Sequence, residues 1–426
     1  MDDRLGQPEV LTDPLPTLLE LQASTPLYWS AAWGVWVLTR YDDVMAVLGD
    51  PATYSSEQRF TTLLDRLPAS IQPRIDRLRR HYSYGLIQSD PPTHTRLRLM
   101  VRDAFTPRTM TAFRPRVVAL ADELIDRFVE RGSADVMAEF AYVMPISVMC
   151  ALLSVPVDDR EQFIEWDMAI SGIQSTGAAE SERALAANDA IIGIEDYFLA
   201  LARQRREQPG SDLLSLMLTG HHGLEPLGDE ELVAMCVGLL LGGHETTRSL
   251  IGNTLLHVLT QPGLLDRVRA TPAISGSVVE EVLRFESPIQ RGWRRVTRDV
   301  ELHGQRVKAG DLVYVMLGAA NRDERRFDDA ATFHAERRPN QHLGFGHGIH
   351  FCVGAPLARL EAIVALERSH QPPRASTREG SRELAAKRAS AHARQTRGGV
   401  QSPTSASGSR RTFRNAAAYD SMSSGG

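Results

Sequence analysis

A single cysteine near residue 350 lies in the stretch best suited to chemistry. The segment Phe345–Gly354 reads FGHGIHFCVG. Its glycines allow tight turns and the close approach of a bulky planar group, because glycine has no Cβ to clash. A helix-like run follows from Ala355, and the positive end of a helix favours a thiolate at Cys352, with a lowered thiol pKa. Such a thiolate suits an axial iron ligand. The simpler interpretation is a buried structural cysteine.

A second group of reactive side chains interrupts the longest apolar segment. Asp229 to Leu259 predicts one helix of roughly 45 Å at 1.5 Å per residue, and Gly242–Thr247 in its middle reads GGHETT. Glycines inside a helix cost on the order of 1 kcal/mol each against alanine, so they indicate a widened helix or a close neighbour. Glu245 could relay protons, and Thr246 could bond a carbonyl one turn back. A kinked core helix with a polar break is the alternative.

A third constellation follows the helix-start signal Asp90–Thr93, which reads DPPT. The predicted helix continues from His94 to Phe105. His94 and Arg98 are four residues apart, so they lie on one helix face and both can donate to a carboxylate. Taken alone, such a pair is more often two solvated surface residues.

A predicted helix at Ser275–Phe285 carries Glu281 and Arg284, which can pair on one face. As a bare pattern this ExxR is weak evidence for any function. From Ser287 onward the sequence becomes β-like, with a strand-like run at Leu312–Met316. The overall pattern indicates a mainly α-helical chain with small β-sheets.

Taken together, these motifs resemble those of the cytochrome P450 family, the haem-thiolate monooxygenases. Four stretches carry the resemblance: FGxGxHxCxG around Cys352, DPPxHTRLR at 90–98, GGxxT with an acid before the threonine at 242–246, and ExxR at 281–284. The resemblance implies the P450 fold, mainly α with small β-sheets. Haem b would lie between the helix at 229–259 and the Pro356–Glu367 helix after the cysteine loop.

The resemblance also implies roles for individual residues. Cys352 would be the axial thiolate, and Gly243 would leave room for dioxygen. Thr246 would steady the bound oxygen while Glu245 relays protons for O–O cleavage. The cofactor-binding set would be His94, Arg98, Arg294, Phe345 and His350, of which the two histidines and two arginines would contact the haem propionates. A triad would orient the cysteine loop: Glu281, Arg284 and Arg337.

The activity implied is insertion of one oxygen atom of O₂ into a hydrophobic small molecule, by hydroxylation or epoxidation, in secondary metabolism or xenobiotic breakdown. The sequence has no flavin or Gly-rich nucleotide motif. The resemblance therefore implies electrons from a ferredoxin and its NAD(P)H-dependent ferredoxin reductase. The docking face for the ferredoxin is predicted to include four arginines: Arg98, Arg102, Arg337 and Arg359.

Two other functions are compatible with the sequence. A peroxide-driven haem-thiolate enzyme is one, although such relatives usually lack the acid–threonine pair seen at Glu245 and Thr246. A truncated, non-catalytic or unstable haem-binding product is the other. Its motivation is the abrupt end of the resemblance after Glu367.

Composition narrows the class of protein. The 426 residues carry a formal net charge of −5, which argues against a nucleic-acid binder. Three cysteines are too few and too scattered for a disulfide framework or a Cys-rich metal site. The N-terminus lacks a signal-peptide layout, and no run of about 18 apolar residues occurs. We expect a cytoplasmic monomer without a membrane span.

The last part of the chain differs from the rest. We assign residues 1–367 to a haem-thiolate monooxygenase domain that is incomplete at its C-terminus. Residues 368–426 are rich in Ser, Arg, Ala and Gly, and carry 11 Lys and Arg against 3 Asp and Glu. Such a segment buries too little apolar surface to fold. We interpret it as a disordered basic tail produced by a change of reading frame.

Apolar periodicity places further elements along the chain. Leu27–Leu38 predicts a small hairpin, and the resemblance makes the loop between Ser171 and Ser181 a roof over the substrate pocket. Helices are predicted at Tyr41–Gly49, Arg114–Arg131, Phe140–Leu153, Asp159–Ser171 and Gly177–Arg206.

Overall fold

The structure is a computed structural model that describes residues 4–7, 10, 12–58, 61, 64–175, 180–210, 212–220 and 223–370. Of the predicted basic tail at 368–426, Arg368 and Ser369 belong instead to the last helix, and residues from 371 onward lie outside the described residues. Fourteen α-helices occur within the described ranges. They are α1 Leu15–Ser24, α2 Tyr41–Gly49, α3 Asp76–His81, α4 Thr93–Val101, α5 Pro107–Val129, α6 Val143–Leu152, α7 Arg160–Ser175, α8 Ser181–Glu207, α9 Leu213–Thr219, α10 Asp229–Thr260, α11 Leu264–Ala270, α12 Ser275–Phe285, α13 Leu317–Ala320 and α14 Ala355–Ser369.

Seven short strands form two small sheets. They are β1 Leu27–Ser30, β2 Val35–Leu38, β3 Tyr54–Ser55, β4 Gly292–Val296, β5 Val300–Leu302, β6 Gln305–Val307 and β7 Leu312–Val315. The larger sheet has the order β1-β2-β7-β4-β3, in which only β2 and β7 run parallel. The smaller sheet is the β5–β6 hairpin. The predicted hairpin at 27–38 is confirmed, as is the mainly helical fold with small sheets.

The helix α10 runs through the middle of the helical core. Acidic residues fill its first turn at Asp229, Glu230 and Glu231, where they complement the positive end of the helix dipole. Its most extensive contacts are with α6, α8, α12 and α14, and α7 also packs against it. Because neighbours surround it, most of its apolar residues are buried. The predicted single long helix is confirmed. In the described part of the chain, no helix is both long enough and apolar enough to cross a membrane.

The helices α5 and α6 differ from their predicted bounds. The helix α5 begins at Pro107, seven residues before the predicted start, and contains Pro115. The Thr106 hydroxyl caps it by accepting a hydrogen bond from the Thr109 N–H at 3.2 Å. Ahead of α6, Met137–Ala141 forms a π-helical turn rather than regular α-helix.

A buried charge cluster joins α12 to the segment that precedes the cysteine loop. The Glu281 carboxylate accepts hydrogen bonds from Arg284 at 2.7 and 2.9 Å and from Arg337 at 3.2 Å. Glu281 and Arg284 are fully buried. The guanidinium of Arg284 also donates to the carbonyls of Asn321, Ala330 and Thr332. The predicted contact of all three triad members is confirmed, and it fixes the chain between residues 321 and 337.

We predict that Glu281→Gln lowers the free energy of unfolding by ~3–5 kcal/mol, because the change leaves Arg284 and Arg337 without their negative partner in the core. Urea unfolding of the purified protein measures the loss. The matched control is Glu336→Gln, which breaks an exposed ion pair with Arg267 and should cost about 0–1 kcal/mol. Equal losses for the two variants would show that the triad does not stabilise the fold.

Candidate active site

The cysteine loop is a tight turn packed against α2. Gly346 and Gly348 have φ of 72° and 70°, a region that favours glycine. A Cβ on Gly348 would lie 2.2 Å from the carbonyl oxygen of Leu48, so no larger residue fits there. The Cys352 N–H donates to the Phe345 carbonyl at 2.9 Å, which closes the loop. The half-buried ring of Phe345 lies 4.5 Å from the Arg359 guanidinium.

The environment of Cys352 acts on its thiol in two directions. Burial is the largest effect and raises the thiol pKa. The N–H groups of Gly354 and Ala355, at the start of α14, oppose it, as do the charges of Arg98 and Arg359. The predicted lowering of the thiol pKa by the start of the helix is confirmed, but burial is the larger effect and the net direction is upward. The helix does stabilise the thiolate, but the loss of hydration is larger.

Basic side chains gather beside this loop. The rings of His94 on α4 and His350 in the loop lie 4.3 Å apart between centroids. His94 is 2% exposed, and neither nitrogen of its ring makes a hydrogen bond within the described chain. The Ile349 carbonyl is nevertheless near enough to favour the charged form of the His94 ring. Burial, followed by the charge of Arg98, lowers the pKa of His94.

The two arginines of this group lack acidic partners. Burial lowers the pKa of Arg294 to about 10, and it also lowers the pKa of Arg98. Neither guanidinium forms an ion pair with any residue that the structure describes, and that of Arg294 donates a hydrogen bond to the Trp293 carbonyl at 2.8 Å. Asp90 is the acid that acts on Arg294, but its carboxylate accepts a hydrogen bond from the Ser56 N–H. Partly buried cations without a counter-charge are costly, so the arrangement suits a ligand that carries carboxylates.

In the middle of α10, an acid and a hydroxyl follow the two glycines. The Thr246 hydroxyl donates to the Gly242 carbonyl at 2.6 Å, the expected bond to the preceding turn. Burial raises the pKa of Glu245, and Arg248, whose guanidinium is 3.9 Å away, opposes this shift. A carboxyl with a raised pKa keeps its proton to a higher pH and is suited to proton transfer.

The two glycines have different neighbours. A Cβ on Gly243 would lie 2.7 Å from the Met149 Sδ of α6. On Gly242, no heavy atom of the described chain lies within 4 Å of such a Cβ. The expectation that Gly243 leaves room for a small ligand is therefore at odds with the packing, because Gly243 is where α6 approaches α10. Gly242 is the glycine that faces open space.

Comparison with known proteins identifies the family. The family model of cytochrome P450 matches residues 64–271 and 275–371, more than half of the chain. The chain belongs to the cytochrome P450 family. Members of this family are monooxygenases that bind haem through a cysteine thiolate. The expected fold and enzyme class are thereby confirmed.

Individual P450 proteins match most of the chain. It is 37% identical over 369 residues to the monooxygenase PikC of Streptomyces venezuelae, covering 85% of this chain and 84% of that protein. It is 38% identical over 336 residues to the mycinamicin IV hydroxylase/epoxidase of Micromonospora griseorubida, covering 78% and 80%. The crystal structure of P450BioI with an acyl carrier protein bearing hexadec-9Z-enoic acid superposes with a TM-score of 0.77 at 32% identity, covering 84% and 91%.

The residues around Cys352 fit the haem that P450 proteins carry. A haem has two propionates, and the unsatisfied His94 ring and the half-buried guanidinium groups of Arg98 and Arg294 supply donors for carboxylates. The structure brings four of the predicted residues together at the loop: His94, Arg98, His350 and Cys352. Arg294 joins them through its effect on His94.

Two predictions about this P450 need correction. Arg337 cannot belong to an exposed docking face, because its side chain is only 7% exposed and is held by Glu281. The predicted roof loop is also shorter than expected, since α7 continues to Ser175 and residues 176–179 lie outside the described chain.

His244, which lies between Gly243 and Glu245, has no role predicted from the sequence. Its ring is fully buried and bonds to Asp167 on α7 and to the Tyr142 carbonyl. A histidine inside a long apolar helix was the available signal. Its partners are distant in sequence, so the sequence did not reveal them.

We predict that Gly243→Ala lowers the free energy of unfolding by ~1–3 kcal/mol, because the added methyl overlaps the buried Met149 side chain. Gly242→Ala should instead raise it by about 0.5–1 kcal/mol, because alanine favours the helix and meets no neighbour. Denaturant unfolding of both variants in the haem-free protein measures the difference. The reverse order of stability would contradict the assigned packing.

Proposed function

We propose that this enzyme binds haem b through the Cys352 thiolate and uses O₂ to hydroxylate or epoxidise a hydrophobic small molecule. The observation that carries the proposal is the group of donors without acidic partners beside the cysteine loop: the buried His94 and the half-buried Arg98 and Arg294. These side chains, with His350, would hold the propionates, while Phe345 would pack against the cofactor. When bound, the haem supplies O₂ activation and oxygen-atom transfer.

In this proposal, the residues of α10 manage protons and space. Burial raises the pKa of Glu245, so its carboxyl keeps a proton to a higher pH than an exposed glutamate and suits proton delivery. Thr246 donates its hydrogen to the Gly242 carbonyl, which leaves the hydroxyl oxygen able to accept a hydrogen bond. We assign to Gly242 the space-making role first expected of Gly243, because only Gly242 faces open space.

The proposed substrate is an apolar metabolite. Large apolar side chains are exposed at Ile87 (54%) and Ile289 (44%), and in this proposal they line the substrate pocket. The name of one similar protein refers to mycinamicin IV, and the crystal structure of P450BioI contains an acyl carrier protein ligated to hexadec-9Z-enoic acid. A macrolide, terpenoid or fatty acid precursor fits this apolar lining.

We propose a ferredoxin, reduced by an NAD(P)H-dependent reductase, as the electron donor. Arg102 is exposed on the helical turn that follows α4. Arg359, close to Cys352 on α14, is paired with Glu280 at 2.6 and 2.9 Å and a third of its side chain remains exposed. These two arginines form the revised basic docking face, without Arg337.

The spectrum of the reduced, carbon-monoxide-bound protein tests the thiolate. The wild type should show a Soret band of the thiolate type, and Cys352→Ser should abolish it, because a serine hydroxyl does not replace the thiolate. Cys150→Ser is the matched control, since Cys150 is buried on α6 away from the loop. A thiolate band that survives in Cys352→Ser would overturn the proposal.

We predict that Thr246→Ala keeps this band but lowers the product formed per O₂ consumed by about tenfold, with the difference released as H₂O₂, because the proton-handling hydroxyl is lost. Ferredoxin-driven turnover of a substrate found by screening measures it. The control is Thr260→Ala, which removes an equivalent hydroxyl–carbonyl bond at the end of α10. Equal coupling in both variants would contradict the role of Thr246. Turnover with H₂O₂ alone, undiminished in Thr246→Ala, would favour the peroxide-driven alternative.

A further inference from the structure

A buried polar junction joins three helical segments next to the proposed catalytic acid. His244 of α10 is fully buried, and Asp167 of α7 is 5% exposed. The His244 Nδ1 and the Asp167 Oδ2 are 2.6 Å apart. On the other side of the ring, Nε2 lies 2.8 Å from the carbonyl oxygen of Tyr142, where the π-helical turn meets α6. The proposed function assigns no role to this junction.

The partners of the ring determine where its protons are. A carbonyl oxygen can only accept, so Nε2 must carry a hydrogen and donate it to Tyr142. The Nδ1 then either donates to an ionised Asp167 or accepts from a protonated one. In both cases the pair has no net charge and its one shared hydrogen bond is kept. The ring is thus held at both ends in a single orientation.

The junction fixes the rotation of α10 about its own axis. Gly243 presses against Met149 of α6, and the next residue, His244, reaches α7 and Tyr142. Successive residues of an α-helix are about 100° apart around the axis. Holding these two residues against α6 and α7 therefore sets the directions in which the following residues, Glu245 and Thr246, must face.

A second contact connects the junction to the acid. The Arg248 guanidinium lies 5.1 Å from the centroid of the Tyr142 ring and 3.9 Å from the Glu245 carboxylate. The His244 ring packs edge-on against the same Tyr142 ring at 4.6 Å. Tyr142 is therefore enclosed by His244 and Arg248, so a shift of the histidine would move the cation that faces Glu245.

We propose that His244 is a positioning residue for oxygen activation. Its bridge from α7 to the Tyr142 carbonyl holds α10 in the rotation that presents Glu245 and Thr246 to the pocket. This inference rests on the proposed function of that acid–threonine pair. It predicts that removing the bridge uncouples O₂ consumption from product formation even when the protein remains folded.

The main test is the double variant His244→Leu/Asp167→Leu. Replacing a buried polar pair by apolar residues of similar volume is often neutral for stability, so this variant should fold and bind haem. It should release H₂O₂ at the expense of product, with product per O₂ lowered on the order of tenfold. Amide hydrogen exchange at residues 242–248 should be faster by a similar factor than in the wild type, with or without haem.

Two matched variants separate positioning from other effects. Asp167→Asn keeps the bridge, because its amide can donate to Nδ1, and it should retain at least about half of the wild-type coupling. Thr254→Val removes a buried hydroxyl of α10 that donates only within the helix, to the Leu250 carbonyl. It should change neither the coupling nor the exchange at 242–248.

The outcomes distinguish this inference from the proposed function. Wild-type coupling and wild-type exchange in the double variant would overturn the positioning role, and so would an Asp167→Asn variant as uncoupled as the double variant. A wild-type protein without a thiolate-type spectrum would overturn the proposed function instead. In that case the hydrogen exchange of the haem-free variants still decides whether the bridge holds α10.

Discussion

One carboxylate, that of Glu281, holds the region on which the cysteine loop depends. It accepts hydrogen bonds from the guanidinium groups of Arg284 and Arg337. It also accepts hydrogen bonds from the His334 N–H at 2.8 Å and the Asn340 side-chain amide at 3.2 Å. Arg284 in turn binds the Asn321 carbonyl, and the Asn321 side chain receives the Leu343 N–H at 2.7 Å. A continuous set of buried hydrogen bonds therefore runs from α12 to the residue two positions before Phe345. A loop that has tight glycine turns, with few apolar contacts of its own, needs such an external support.

Two groups of desolvated arginines differ in whether an acidic residue balances their charge. The balanced one, Arg284, has a structural role, whereas the unbalanced ones suit the binding of a ligand. Arg284 has its charge balanced by Glu281 and its remaining donors satisfied by carbonyls, so nothing further is required of it. Arg98 and Arg294 are desolvated as well, yet neither has an ion pair within the described ranges. Desolvating a cation without compensation lowers stability unless a ligand restores the balance. A haem with two propionates would do so, and its binding would then stabilise the folded chain.

Sequence patterns predicted the elements whose boundaries are local. The bounds of α2 and α12 agree with the predicted ones, and α10 differs from its prediction by one residue at its end. The start of α5 was missed, because the predicted helix begins at Arg114 whereas the structure begins it at Pro107, after the Thr106 cap. The site residues whose roles depend on distant partners were less accessible. Tertiary packing decides three features of the site. These are the glycine that faces Met149, the extent to which burial outweighs the helix in setting the Cys352 pKa, and the partners of His244.

The segment GGHETT shows why a helix in the centre of a domain carries polar residues in an apolar run. Its first four residues have different surroundings. Gly242 faces open space, Gly243 contacts α6, His244 bonds to α7, and Glu245 lies near Arg248. The Thr246 hydroxyl donates to the Gly242 carbonyl one turn earlier. Residues proposed for chemistry and residues that pack against α6 and α7 therefore lie within one turn of the helix. Because α10 is enclosed by other helices, its orientation cannot be set by an apolar and a polar side, as on a surface helix. Specific contacts on either side of Glu245 must set it instead, which is why a change at His244 should affect chemistry more than stability.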